Sequence, residues 1–288
     1  MANKGILRRA KRPGRQESGT AQHHPTEAEL ENALKQTNWG STFLTEFLNS
    51  AHENTIISYC KLRGHFEVFE NLTQLFKDLL ERVSELNEHN LPLGLFLGRA
   101  CGSFLGAVRL SSSGQLSESY AQLRLCLENA LYAFGIHHEP PLAKAWLERH
   151  SSEEKRKTCK RKFQPTAIIK SLTDQDHRLG KAVARDYEKC IDFGAHPNER
   201  SVFPNVRVTN HEGHAEMRIA LLNTSREFLE AAMLACATTA LNAIKIFEIM
   251  YPDQWKAVNG REKVHTVEAT LAMTAPGVVW KLRNRASK

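Results

Sequence analysis

No two of the chain's six cysteines stand two to four residues apart. Neither a zinc knuckle nor a neighbouring-thiol redox motif can therefore be assembled. Cys60, Cys101, Cys126, Cys159, Cys190 and Cys236 read instead as reduced, small apolar residues of a cytoplasmic protein. The sequence holds no glycine loop of the phosphate-cradling or dinucleotide-binding kind. No recognised nucleophile arrangement pairs a serine, cysteine or carboxylate with a nearby histidine. No repeat recurs at a solenoid period. The basic start "MANKGILRRAKRPGR" has no apolar stretch behind it, which excludes a secretory signal reading. Together these absences predict a protein without cofactor or metal.

What is present is ordinary globular composition: 288 residues, 41% hydrophobic and 25% charged, with a formal charge of +7. Much of that charge is in residues 1–25, where Lys4, Arg8, Arg9, Lys11, Arg12 and Arg15 face only Glu17. This stretch reads as a disordered basic tail. A second basic run, "KRKTCKRK" at 155–162, adjoins Glu153 and Glu154. The expected organisation is the tail at 1–25, a helical bundle at 26–258 and a C-terminal extension with a basic end at 259–288.

Apolar residues recur at helical spacing along most of the chain. In 62–88 they are Phe66, Phe69, Leu72, Leu75, Phe76, Leu79, Val83 and Leu86. The residues of 91–110 and 115–136 predict the next two helices, 175–195 another, and 224–250 a last long one. Only 203–221 alternates as a strand would, with Val206/Val208 and Met217/Ile219 around Asn210-His211-Glu212-Gly213. The fold class expected is all-α: a helical bundle with one small β-hairpin insertion near 205–220.

Gly94, Gly98, Gly102 and Gly106 stand four apart in one helix, at about 1 kcal/mol each relative to alanine. Such spacing suits close approach of a second helix, and Ala232, Cys236 and Ala240 offer a matching stripe. A membrane span over 91–110 is disfavoured by Arg99 and Arg109.

Residues 121–136 are apolar on nearly every face, yet Arg124 and Glu128 stand there one turn apart. Buried charges need partners, so the pair reads either as a register-fixing ion pair or as part of an interior polar pocket. Tyr187, His196 and Asn198 would complete that pocket. Pro197 disfavours helix at His196, so a helix must end there. His196 reads either as a terminus favoured by the helix dipole or as a site residue. The spacing of His137, His138, His150 and Cys159 matches no closed zinc site.

"LRLCLENALYAFGI", followed by "YEKCIDFGAHPN", resembles a pattern in a broad group of uncharacterised bacterial all-helical proteins. Those are distantly similar to the HEPN proteins, many of them toxin or defence ribonucleases acting as dimers. The resemblance covers Arg124, Glu128, Tyr187 and His196. The family's motif is an arginine four to six residues before a histidine. Arg82 to His89 and Arg207 to His214 carry a six-residue gap, as chance supplies in a chain rich in both.

The function expected is an interaction or binding module with a structural interior polar pocket. Its partner would be nucleic acid or an acidic protein, held by Arg8, Arg9, Lys11, Arg12, Lys160, Arg161 and Lys162. The alternative that the resemblance implies is a HEPN-like ribonuclease or toxin of a defence system, in which Arg124, Glu128, Tyr187 and His196 would be the catalytic candidates. A homodimer fits either reading, and no membrane association is expected.

Overall fold

The computed structural model describes residues 25–83, 91–211 and 214–274, which leaves most of the basic tail outside the described residues. The chain forms two compact units, one reaching Leu48 and one beginning at Asn49. In the first, helix α1 (Glu27–Gln36) opens with a reciprocal cap: Thr26 Oγ1 accepts from Glu29 N and Glu29 Oε2 accepts from Thr26 N. Asn38 and Gly40 take positive φ in the turn before helix α2 (Phe43–Lys61), which continues into the second unit. Leu30, Leu34, Phe43 and Leu44 are exposed.

The second unit is an all-α bundle. Helix α3 (Arg63–Val83) turns the expected apolar stripe inward: Phe69, Leu72, Leu75, Phe76, Leu79 and Val83 are all buried. Helix α4 (Leu91–Ser113) and helix α5 (Leu116–His138) form a tight pair, broken at Gly114, whose φ is +95°. Short helices follow: α6 (Pro141–Leu147), α7 (Glu153–Lys162) and α8 (Pro165–Gln175). Prolines stand at the first turns of α6 and α8, where their missing N–H costs nothing.

Asp176 caps helix α9 (His177–Cys190) by accepting from Leu179 N at 2.9 Å. A π-helical turn over Ile191–Ala195 and the four-residue helix α10 (Glu199–Val202) lead to the only sheet among the described residues. Helix α11 (Arg226–Met250) runs through the core against α5, α4 and α9, and α12 (Pro252–Ala257) closes the run. Phe76, Phe104, Phe134 and Phe247 are fully buried at the centre, each contributing about 1.5–3 kcal/mol by leaving water.

The sheet is the predicted hairpin. Strand β1 (Val206–His211) pairs antiparallel with β2 (His214–Ile219), with Val206 opposite Ile219 and Val208 opposite Met217. Within the stretch read as an extension from 259, residues Gly260–Thr274 form helix α13, which packs Val264, Val267 and Leu271 into the bundle beside α3.

The glycine ridge is a correction. A methyl at Gly98 would meet only Leu80 of α3 at 3.8 Å, one at Gly106 the Gln122 side chain of α5 at 3.5 Å, and one at Gly102 nothing within 4 Å. None of these three abuts α11. The face that α4 buries carries Leu93, Phe96, Leu97, Ala100, Phe104 and Ala107, and the glycines stand beside it. The close approaches belong to other glycines: Gly180 against Thr173, and Gly260 against the Trp255 ring. By length and composition two helices could cross a membrane, Pro92–Ser113 and Arg226–Met250, with 39% and 72% of their apolar windows buried within the protein.

Candidate functional site

Arg124 and Glu128 are one turn apart on α5, so their side chains meet along the helix: Arg124 Nε donates to Glu128 Oε1 at 2.8 Å. The same carboxylate oxygen accepts from the Tyr187 hydroxyl at 2.9 Å. Tyr187 reaches it because α9 lays Leu179, Val183, Tyr187 and Cys190 against the core. The Arg124 guanidinium stands 5.3 Å from the Tyr187 ring centre, within cation–π range.

His196 arrives by another route. α9 passes into the π-helical turn, and Gly194 in that turn rests on the carbonyl of Ser117, near the start of α5. Any side chain there would overlap Ser117 and Tyr120. Phe193 then stacks beside Tyr120 with ring centres 5.4 Å apart. The helix ends as Pro197 requires, and His196 is extended at φ −132°, ψ 145°.

His196 Nε2 lies 3.4 Å from Arg124 Nη1. A guanidinium only donates, so a hydrogen bond between these two atoms is one that Nε2 accepts. Asn198 lies outside the cluster: it caps α10, accepting from Ser201 N at 3.0 Å, and its amide donates to Ile191 O at 3.4 Å. Ser117 Oγ donates to Ser201 O at 2.8 Å and ties this loop to α5.

Arg124, Glu128, Tyr187 and His196 therefore converge, as their polarity in apolar surroundings suggested. Their setting differs from the interior pocket expected. The side chains of Arg124 and Glu128 keep 28% and 25% of their surface, and His196 is exposed. Burial disfavours the Arg124 cation, but Glu128 and Tyr187 outweigh it and raise its pKa. Burial, then Glu128, pushes the Tyr187 phenol up to about 12. What the arrangement offers is a guanidinium held rigidly by a carboxylate and a phenol, beside an accessible imidazole. Two clefts lie elsewhere, neither lined by these residues: one of about 280 Å³ includes Asp78, Arg82 and Lys263, and one of about 240 Å³ includes Lys144 and Lys155.

The sequence reading missed a second polar group. Asp186 on α9 is 2% exposed, and its carboxylate accepts from Asn242 Nδ2 of α11 at 2.8 Å and from Lys189 Nζ at 3.3 Å. The signal was legible, because Val183, Asp186, Tyr187 and Cys190 fall at one helical face.

Of the residues expected to bind a polyanion, Arg8, Arg9, Lys11 and Arg12 lie outside the described residues. Lys160 and Arg161 are exposed on α7, while Lys162 is paired with Glu139 at 3.2 Å. Arg207 lies in β1 opposite Arg218, His214 lies in β2, and His89 lies outside the described residues. No group of three or more histidine, cysteine or acidic side chains among the described residues could hold a metal ion. Compared with known proteins, the chain matches no family model, no curated protein and no solved structure.

Proposed function

We propose that the protein is a helical binding module for a polyanionic partner, nucleic acid or an acidic protein surface. One observation supports it above others. On α7, Lys155 pairs with Glu148 and Arg156 with Glu153, but Lys157, Lys160 and Arg161 are exposed and form no ion pair among the described residues. Cys159 alone anchors that helix in the core, so the cations stand on a surface. Unpaired cations on one helix attract phosphate or carboxylate arrays and release counterions on binding. The basic tail would add to the same term, and the free cysteines fit a cytoplasmic setting.

The test is fluorescence anisotropy of the full chain with a labelled single-stranded oligonucleotide and, separately, with polyglutamate. Binding should weaken as salt rises and fall about tenfold in Lys157→Glu/Lys160→Glu/Arg161→Glu. Equal affinity in parent and variant would refute the reading.

A second reading rests on the Arg124–His196 pair. An arginine beside an accessible imidazole has the groups needed to hold a phosphodiester and move a proton, as in the HEPN-like ribonucleases that the sequence resembles. Incubating the purified chain with labelled RNA decides it. Cleavage lost in both Arg124→Ala and His196→Ala supports a ribonuclease, and intact RNA with the parent refutes it.

A further inference from the structure

The β1–β2 ribbon is built like a sheet with a core to cover, yet none of the described residues covers it. Directly opposed residues of an antiparallel pair point to the same face. The register therefore puts Val206, Val208, Met217 and Ile219 together on one face and Arg207, Thr209, Glu216 and Arg218 on the other. Both faces are exposed, and on the apolar one Val208, Met217 and Ile219 keep 61%, 65% and 59% of their surface. A two-stranded ribbon alone in water is marginal, and its apolar face calls for a partner.

The ribbon is also firmly rooted. Asn223 donates from its side chain to Pro204 O at 2.9 Å and to Asn205 Oδ1 at 3.2 Å, and from its backbone to Gly114 O at 2.8 Å. Gly114, in its positive-φ turn, is packed against the Asn223 backbone. The root is thus fixed to the α4–α5 turn, and the arm is presented in a set direction.

We propose that this face docks a second copy of the chain, apolar ribbon against apolar ribbon across a two-fold axis. Three observations favour a copy. The face carries no charge, so two chains of formal charge +7 meet there without like-charge contact, whereas the opposite face sets Arg207 across from Arg218. A two-fold through the Val208–Met217 pair would set apolar side chains of one chain against apolar side chains of the next. The area is also of the right order. Val202, Phe203 and Leu221 at the ribbon root are 48%, 67% and 53% exposed and add to Val208, Met217 and Ile219. At about 100 Å² each, these six offer on the order of 600 Å², against about 800 Å² per partner in a stable interface. The exposed Ile56 and Ile57 of α2 lie toward the same end of the bundle, since Asn54 Nδ2 donates to Ser113 O at 3.2 Å beside Gly114.

Light scattering coupled to size exclusion, on the full chain at several concentrations, tests this. The parent should run as a dimer and Val208→Glu/Met217→Glu as a monomer with unchanged helical circular dichroism, while Thr209→Lys on the polar face stays dimeric. Should the double variant lose helix, Met217→Lys alone serves for the same comparison. A parent that is monomeric throughout would assign the face to a different protein and overturn the proposal. So would a dimer that survives the charged ribbon.

Discussion

Gly194 rests directly on the carbonyl oxygen of Ser117, and no side chain fits between them. That contact lets the π-helical turn lie on α5 and so delivers His196 to Arg124. Gly194→Ala should force the two segments apart, costing about 1–3 kcal/mol and moving His196 away. Thermal melts read the first effect, and the His196 imidazole resonances, compared with an Arg124→Lys variant, read the second. Gly102→Ala is the contrast. A methyl there meets nothing within 4 Å on a helix, so it should stabilise by up to about 1 kcal/mol. A loss of stability at Gly102 would restore the ridge to a packing role.

Tyr187 should titrate late. Its phenol is pushed up to about 12, first by burial and then by the neighbouring Glu128 carboxylate. Alkaline difference absorbance between the parent and Tyr187→Phe isolates this one tyrosine. In a Glu128→Gln background, the same difference should move down toward the ordinary value, because the negative charge that opposed the phenolate has gone. An unmoved titration would mean that burial alone sets it.

The parts of this site that were legible in the sequence share one physical basis. Arg124 and Glu128 were conspicuous because charge in an apolar helix demands partners, and Tyr187 and His196 were the polar tips on the one other helix able to supply them. Asp186 escaped, although it lies on the same face as Tyr187, because a single aspartate among Arg185, Lys189 and Glu188 reads as part of a solvated run. The π-helical turn had no local signature, since it depends on the approach of Gly194 to Ser117, far earlier in the chain. The glycines of α4 misled for the converse reason: four-residue spacing defines a face, but not what that face touches.

Asp186 and Asn242 should behave as a coupled pair. The carboxylate is 2% exposed, and Asn242 is the α11 donor to its Oδ2. Asn242→Leu should cost about 1–3 kcal/mol or more, because a buried charged acceptor loses its donor. Asp186→Leu combined with Asn242→Leu should cost less than the two single changes added together. Urea unfolding of all four proteins gives the cycle, and strict additivity would show that the pair does not interact.

Stability should decline on mild acidification, and His65 is the reason. This α3 side chain is 4% exposed, and its Nε2 has no hydrogen-bond partner among the described residues. Burial pushes the imidazole below its ordinary value of 6.5, with Glu230 on α11 pulling it partly back. The folded chain therefore binds this proton less readily than the unfolded chain does. Above the ordinary value both forms are neutral, and His65 contributes no slope. As pH falls below it, the unfolded state takes up the proton first, and stability drops by as much as about 1.4 kcal/mol per pH unit until the folded pKa is reached. Urea midpoints at about pH 7.5 and about pH 5.5 measure the drop, and His65→Phe should make it smaller by removing the group that titrates differently in the two states. If parent and variant lose the same stability over that interval, the acid sensitivity belongs to carboxylates elsewhere, and His65 is no more than a core side chain.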